Sequence, residues 1–423
     1  MDVVLEENQN LSENVKKYLN DLLSTKFQQK QHVYTVEEAT KKGDNYLGVV
    51  YRIKVTLQHT ARKHFSLIVK VPPQNSIRRK QFFARPCFLR EALAYEEFLP
   101  LAMEFQRSKG IPLNEGFHGI AECYRTSTAD MDEAIFLEDL QERHFQMFNR
   151  FDAINVEYVR IVMRSYGQLH AVSFAIKDQC MDKICKFQQL QDIFEQRRQD
   201  YQLASYFEDL KKSALNTLNA LADIKYRDAL ESFFARGTFF DVFLDLINGR
   251  KCEPYAVVCH GDCWNNNILF KHEESKVIDA CLIDWQIMRY ASPLTDVMYY
   301  LFTCTTKAFR NDYYQEMLDT YYRTLSDHIK RLGSDPSTQF SRVAFNKEIQ
   351  KFGAIGLLMA MIVLPITTMK GEDVPDLERL SERIEAGATT DLKGAGLLGQ
   401  TNVVAYYKLM RDVIIDCINL GYI

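Results

Sequence analysis

The sequence predicts an α+β fold, with a small sheet-rich first part and a larger, mainly helical second part. β-branched and aromatic runs are concentrated before about residue 140, and apolar positions at helical spacing dominate after it. At 423 residues, the chain is also too long for one small domain. We therefore expect a first unit at residues 1–137 and a second at residues 138–423, joined near residues 137–141.

The composition is that of an ordinary globular protein. Hydrophobic residues make up 47% of the chain and charged residues 26%, which argues against a mostly disordered chain. The net charge of -4 provides no overall basic field to attract nucleic acid or an anionic membrane. The ten cysteines include no CxxC pair, which predicts buried thiols in a reducing compartment and a cytoplasmic location. A zinc site at Cys259, His260 and Cys263 would lack a second ligand pair at the usual spacing.

Runs of β-branched and aromatic side chains predict the strands of the first part. They lie at residues 47–55, 65–71, 121–126 and 134–137. Helical spacing of apolar residues predicts an opening amphipathic helix at 11–30 and a second helix at 88–99. Pro100 is expected to end that second helix.

Helical spacing covers most of the second part. It predicts helices at 153–175, 182–222, 225–248, 310–332, 345–364 and 403–420. Short β-like runs interrupt them at 256–258, 267–270 and 277–283. The uncharged stretch between Lys351 and Lys370 is interpreted as a buried core helix, and the alternative is a membrane anchor. Its strongly apolar part stops at Pro365, short of the roughly 20 residues that a spanning helix needs.

The segment that carries most chemical information runs from a short apolar strand into His-Gly-Asp at residues 260–262. Asn267 lies five residues after Asp262, and Asp284 ends a later strand. Phosphoryl transfer needs a carboxylate to orient or deprotonate an attacking hydroxyl, and oxygen ligands to hold Mg²⁺ on the phosphates. The Asp-x4-Asn spacing followed by a strand-end Asp matches the catalytic pattern of kinases. The alternative is a polar turn whose Asp and Asn residues cap helices.

These motifs resemble the ecdysteroid kinase-like family, which is similar to choline/ethanolamine kinases and aminoglycoside phosphotransferases. The resemblance rests on His-Gly-Asp-x-Trp-x2-Asn-x2-Phe at 260–270 and on Ile-Asp-Trp-Gln at 283–286. Weaker motifs follow the family order at 43–48, 68–70, 88–100 and 137–140. The resemblance implies a single protein-kinase-like domain with two lobes. The N-terminal lobe would be a small antiparallel sheet with a helix, and the C-terminal lobe larger and mainly helical.

The resemblance also implies an ATP-dependent, Mg²⁺-requiring kinase that acts on a small molecule. Asp262 is then the catalytic residue, and Asn267 and Asp284 are the magnesium ligands. The implied nucleotide-binding residues are Gly43, Asn45, Gly48, Lys70, Glu91, Glu138 and Leu140. Residues 43–48 lack the full G-x-G-x-x-G and taken alone indicate a turn. Lys70 taken alone would be an edge lysine whose charge reaches solvent.

The acceptor implied by the resemblance is an ecdysteroid or a similar lipophilic polyol. One alternative is a choline- or ethanolamine-type kinase, which would need aromatic and acidic side chains around the amine. Another is a non-catalytic kinase-like binding protein. Such a protein has no chemical need for Lys70 together with the three oxygen-bearing residues at 262, 267 and 284. We expect no nucleic acid, membrane or structural-metal partner, and a monomer or weak homo-oligomer.

Four further sites are expected to be structural. His170 is predicted to pack in a helix, and His260 to hold the backbone of the loop around it. Asp296 is predicted to cap the helix that follows Pro293 or to brace the catalytic loop. The basic run at residues 78–80 is predicted to be a solvated connector.

Overall fold

The computed structural model describes residues 11–26, 32–40, 48–57, 64–149, 151–369 and 403–423. The strands in these ranges are β1 His32–Glu38, β2 Val49–Leu57, β3 His64–Val71, β4 Cys123–Ser127, β5 Ala134–Glu138, β6 Phe145–Met147, β7 Val257–Cys259, β8 Ile268–Glu273, β9 Lys276–Leu282 and β10 Arg289–Ala291. The helices are α1 Glu13–Thr25, α2 Ser76–Gln81, α3 Ala84–Leu93, α4 Leu99–Ser108, α5 Val156–Gln179, α6 Met181–Gln188, α7 Tyr201–Leu215, α8 Ile224–Phe234, α9 Phe239–Leu246, α10 Gly249–Cys252, α11 Leu294–Thr303, α12 Lys307–Arg331, α13 Pro336–Gln339, α14 Arg342–Phe352, α15 Ile355–Thr367 and α16 Val403–Asn419.

The first part is an antiparallel sheet in the strand order β1-β2-β3-β5-β4. The amphipathic helix α1 packs on this sheet, where Leu19 and Leu23 join Ile53 and Leu67 in a small buried cluster. The predicted α+β class is therefore confirmed. The sequence pattern missed β1, because this edge strand is only half-buried and carries polar side chains among its apolar ones.

The predicted end of the second helix at Pro100 is wrong. A π-helical turn at Ala94–Phe98 joins α3 to α4, and Pro100 lies in the first turn of α4. The N–H of Leu99 donates to the carbonyl of Ala94, five residues back. The π-helical turn directly before Pro100 changes the hydrogen-bond pattern and accommodates the missing N–H of the proline, so the chain continues as a helix.

The second part is built around α5 and α12. These helices approach closely at Gly167, where a Cβ atom would lie 3.0 Å from Cβ of Thr324. The predicted helix at 182–222 is wrong in its length, because the chain leaves helical geometry between α6 and α7 and restarts at Asp200, whose side chain caps α7. The predicted helix at 225–248 is likewise divided, into α8 and α9, and the one at 345–364 into α14 and α15.

The uncharged segment lies mainly in α15, which is bent relative to the preceding helix α14. Among the described residues, no single helix is long and apolar enough to cross a bilayer, and only the bent pair Pro336–Phe352 and Ile355–Thr367 passes the criteria of length and composition. Most of α15 is buried in the core, as the core-helix interpretation expects.

Two small ladders in the second part bring the chemical motifs to one place. In one ladder Cys259 at the end of β7 pairs with Arg289 at the start of β10. In the other, Ile268 at the start of β8 pairs with Leu282 at the end of β9. The loop between β7 and β8 and the loop between β9 and β10 must therefore leave the two ladders on the same side. Gly119 joins the first part to this region, since its carbonyl accepts from the N–H of Leu282 at 2.8 Å.

Candidate active site

Asp262 is held by donors on both carboxylate oxygens. The hydroxyl of Tyr299 donates to Oδ1 at 2.9 Å, and Nδ2 of Asn267 donates to Oδ2 at 2.8 Å. Burial raises the pKa of Asp262 to about 6, and the charge of Asp284 adds to this, while the bonds from Tyr299 and Asn267 oppose it. The carboxylate is thus oriented, and it can accept a proton near neutral pH.

Asp296 braces the loop that carries Asp262. Its carboxylate accepts from the backbone N–H of His260 at 2.7 Å and of Gly261 at 3.0 Å, and Nε2 of His170 lies 3.2 Å away. Burial alone would raise the pKa of Asp296, but the bond and charge of His170 reverse this and lower it. Of the two structural roles expected for Asp296, the contacts support the brace.

Gly261 needs to be glycine for two reasons. Its φ of +90° lies in the region that side chains avoid. A Cβ atom there would also lie 2.2 Å from the carbonyl oxygen of Ile287. The loop that carries Asp262 can therefore pass directly over the loop that carries Asp284.

His260 ties the same two loops together. Its Nδ1 accepts from the N–H of Asp262 at 3.2 Å, and its Nε2 lies 2.9 Å from the carbonyl of Ile283, to which it donates. Burial lowers the pKa of His260, in keeping with a neutral ring. Both ring nitrogens are engaged by backbone, so His260 offers no nitrogen to zinc, and its contacts are those of the predicted scaffold.

Lys70 lies between two carboxylates. Its Nζ is 2.7 Å from Oε2 of Glu91 and 2.6 Å from Oδ1 of Asp284, and the residue is only 4% exposed. Burial alone would lower the pKa of Lys70, but the two carboxylates outweigh it and raise the pKa, so the ammonium stays charged. Burial raises the pKa of Glu91, and Lys70 opposes that change. The structure therefore brings together a strand, a helix and a loop that lie far apart in sequence.

Asp284 adopts a backbone conformation that few residues tolerate. Its φ is +67°, in the left-handed region where Asp and Asn are the most frequent residues after glycine. Strained backbone of this kind persists where the surroundings hold it, and functional sites are enriched in it. Here the ion pair with Lys70 holds the side chain.

A cavity of about 700 Å³ opens between the sheet and the second part. Its wall includes Lys70, Glu91, Asn267 and Asp284. The wall also has apolar side chains from both parts of the molecule: Val50, Ile68, Ala121, Leu137, Leu140 and Ile283. A flat base would fit between these apolar walls, with its phosphates toward the charged end.

The predicted hinge residues lie on this cavity. Leu140 contributes its side chain to the wall. The N–H of Glu138 donates to the carbonyl of Glu122 at 2.8 Å, and the Glu138 carboxylate accepts from Arg143 at 3.2 Å. That N–H is therefore already paired within the protein. The binding of a base by Glu138 and Leu140 stays a prediction.

The predicted glycine loop is described only at its end. Gly43 and Asn45 lie outside the described residues, so their predicted contact with phosphates stays a prediction. At Gly48, a Cβ atom would lie 2.8 Å from the carbonyl oxygen of Val71 and 3.3 Å from the ring of Phe88. Close packing therefore explains this glycine, and a role in binding phosphate stays a prediction as well.

Tyr299 is a site residue that the sequence reasoning missed. It follows Asp296 by three residues on α11, so the two side chains share a helix face. Asp296 holds the backbone of the catalytic loop and Tyr299 holds its carboxylate. Once Asp296 was placed against that loop, its spacing from Tyr299 was a signal that could have identified the tyrosine.

The oxygens of Asn267 and Asp284 suit a hard cation. Within the described residues, Oδ1 of Asn267 and Oδ2 of Asp284 make no hydrogen bond to protein, while the other polar atom of each side chain is engaged. Amide and carboxylate oxygens are the ligands that Mg²⁺ takes. The donor set therefore fits the magnesium site predicted from the sequence.

Comparison with known proteins identifies the family. The ecdysteroid kinase-like family matches residues 42–334. No curated protein matches the chain by sequence. Among solved structures, the GDP and kanamycin complex of APH(2")-IIia aligns at 11% identity and a TM-score of 0.42, over 94% of this chain and 99% of that chain. The GDP complex of wild-type aminoglycoside 2'-phosphotransferase-IIIa aligns at 10% identity and a TM-score of 0.42, over 95% and 99%. This chain belongs to the ecdysteroid kinase-like family, and that membership supports a small-molecule phosphotransferase.

Proposed function

We propose that the protein transfers the γ-phosphoryl group of ATP to a hydroxyl of a small molecule. The observation that carries the proposal is the buried Lys70 ammonium, held by Glu91 and Asp284 on the wall of the cavity. Phosphoryl transfer depends on positioning and on positive charge at the phosphates. The Lys70 ammonium supplies the positive charge, and its two carboxylate partners fix its position.

Asp262 is the proposed base. With a pKa of about 6, it is mostly ionised at neutral pH and can take the proton of the acceptor hydroxyl. The acceptor oxygen then forms a bond to the γ-phosphorus, while the bond from that phosphorus to the bridging oxygen breaks. ADP leaves with the electron pair of that bond. Tyr299 and Asn267 keep the carboxylate oriented through the transfer.

Lys70, Asn267 and Asp284 are proposed to hold the phosphates. The Lys70 ammonium donates to phosphate oxygens, and Glu91 keeps it aimed at the cavity. Asn267 and Asp284 would hold Mg²⁺ through the oxygens that have no protein donor. When bound, Mg²⁺ supplies positive charge to the phosphate oxygens.

The proposed acceptor is an ecdysteroid or a similar lipophilic polyol, as the family's name indicates. Two apolar side chains on the cavity wall support a lipophilic acceptor: Met147 is exposed, and Phe151 is 61% exposed. Ligand pockets are lined mainly by apolar and aromatic side chains, which is the character that these two residues give to the wall. A small amine such as choline would leave this surface uncovered.

The test is the mass gain of one phosphate on an acceptor incubated with protein, Mg²⁺ and either ATP or GTP. The acceptor panel contains an ecdysteroid, choline and a metabolite extract. We expect Asp262→Asn to lose turnover by about 10²- to 10⁴-fold while nucleotide affinity persists. The exposed Asp228 on α8 provides a matched control, since Asp228→Asn should change neither quantity. Nucleotide binding without any phosphorylated product would favour a non-catalytic binding protein, and unchanged turnover by Asp262→Asn would remove Asp262 from the mechanism.

A further inference from the structure

Arg90 lies next to Glu91 on α3, and its side chain reaches residues of the second part. Its side chain is buried, with the residue 6% exposed. Nη1 donates to the carbonyl of Met288 at 2.5 Å, and Nη2 donates to the carbonyl of Gln191 at 2.7 Å. The helix that carries Glu91 is thus bonded to two separate segments of the second part.

Both segments are connected to the active site. Met288 closes the turn that follows Asp284, and its N–H donates to the carbonyl of Trp285 at 3.0 Å. Gln191 precedes Asp192, whose carboxylate accepts from Arg289 at 2.9 Å. Because Arg289 follows Met288 directly, the two carbonyls that Arg90 contacts belong to segments already tied to each other. Arg90 therefore bonds to the Asp284 loop and to a second segment that is itself bonded to the end of that loop.

An apolar contact supports the same alignment. Cys87 lies three residues before Arg90, on the same face of α3, and packs with Ile193 and Ile287 in a small buried cluster that is separate from the main core. Ile193 belongs to the segment of Gln191, and Ile287 belongs to the loop of Asp284. The helix is held against these two segments by packing as well as by hydrogen bonds.

We propose that Arg90 is a positioning residue for phosphoryl transfer, which fixes α3 against the Asp284 loop so that Glu91 holds Lys70 beside Asp284. This inference rests on the proposed function. Glu91 and Asp284 both contact the one ammonium of Lys70, so their separation sets where Lys70 points. Arg90 is a buried polar side chain that connects the helix of the first carboxylate to the loop of the second through the carbonyl of Met288.

An arginine is needed because two carbonyls from different segments must be reached at once. The guanidinium presents several N–H donors in a rigid planar fork, whereas a lysine ammonium is a single point on a flexible stem. A lysine at this position could keep one of the two bonds. The same helix supplies a control, since Arg85 on α3 pairs with Glu133 beside β5 and makes its contacts within the first part.

The test is a double-mutant cycle of Arg90→Met and Glu91→Gln, with Arg85→Met as control and the urea unfolding midpoint of each variant measured in parallel. In the wild-type background we expect Arg90→Met to lower kcat/KM for MgATP by about tenfold or more, with the acceptor KM unchanged within about twofold. In the Glu91→Gln background the same change should cost less than about twofold, since Arg90 acts through Glu91. Arg90→Lys should fall between, and it carries the comparison if Arg90→Met does not fold.

An equal loss in both backgrounds would show a merely structural role and overturn the proposal, as would an equal loss in Arg85→Met. Labelling of Lys70 with an amine-reactive reagent, followed by mass spectrometry, tests the inference without turnover. Lys70 is almost fully buried, so loosening of α3 in Arg90→Met should speed its labelling about tenfold or more, with no change in Arg85→Met. A wild-type protein without kinase activity would defeat the proposed function alone, whereas unchanged labelling in Arg90→Met would defeat the role of Arg90.

Discussion

Replacing Asp296 with asparagine should disrupt the catalytic loop and destabilise the protein. The carboxylate of Asp296 serves the backbone donors of His260 and Gly261 and the ring of His170. Oδ2 lies near His260 and His170, and Oδ1 lies near Gly261. Asparagine keeps one of these oxygens and puts an NH₂ group in the place of the other.

The magnitude follows from those contacts. If the amide oxygen takes the position of Oδ2, the N–H of Gly261 faces another donor and stays unsatisfied in a fully buried site. A buried donor without a partner costs about 1–3 kcal/mol, and the two remaining bonds lose the assistance of the charge. We expect a loss of about 3 kcal/mol in the free energy of unfolding. We also expect a fall in kcat, because Gly261 directly precedes Asp262.

Urea unfolding at pH 7 and acceptor phosphorylation by the folded protein check this prediction. Asp312→Asn on α12 is the matched control, since that side chain is exposed and its loss of charge should change stability by less than about 0.5 kcal/mol. A midpoint of Asp296→Asn that equals the control, together with full turnover, would refute the brace.

Three other changes probe different parts of the structure. Burial lowers the pKa of His328 from 6.5 to about 4, so the unfolded chain binds more protons as the pH falls from 6.5 toward 4 and stability is lost there. Between pH 8 and 5.5, wild type should lose about 1.4 kcal/mol more than His328→Gln in urea titrations, and equal losses would contradict the shift. Gly167→Ala should lower the free energy of unfolding by about 1–3 kcal/mol, because the new methyl group meets Thr324 at 3.0 Å, and an unchanged Tm would show that the helices separate freely. Lys70→Met should lower kcat/KM for MgATP by about 10²-fold, since a positively charged donor to the phosphates is lost. Unchanged kinetics in this variant would show that Lys70 has no role in binding the nucleotide.

The oxygen-bearing residues of the site could be predicted because their signal is local. Asp262 and Asn267 stand at a set spacing between two apolar strands, and Asp284 ends a third. Such loops leave adjacent strands at the same edge, as β8 and β9 do here. The order of the motifs also identified Lys70 and Glu91 as a pair, and the structure places their charged atoms 2.7 Å apart.

Residues whose partners are distant in sequence could not be assigned in this way. The basic run at 78–80 suggested a solvated connector, but Arg79 is buried and pairs with Glu133 at 2.7 Å. The sequence around Arg90 is that of an ordinary helical arginine, and only the tertiary structure shows that its side chain bonds to the carbonyl of Gln191. Pro100 predicted the end of a helix, because a π-helical turn that accommodates it leaves no pattern in the apolar spacing.

The sequence by itself determined the α+β class, the chain order of the motifs and the chemical types at the site, since these depend on short-range spacing and on side-chain chemistry. Only the tertiary structure decided which charges meet. Lys70 and Asp284 are separated by 214 positions along the chain, and their contact at 2.6 Å exists because β3, α3 and the Asp284 loop are packed around one cavity. Packing of this kind depends on the shapes of all the surrounding side chains at once, which no local pattern of residues contains.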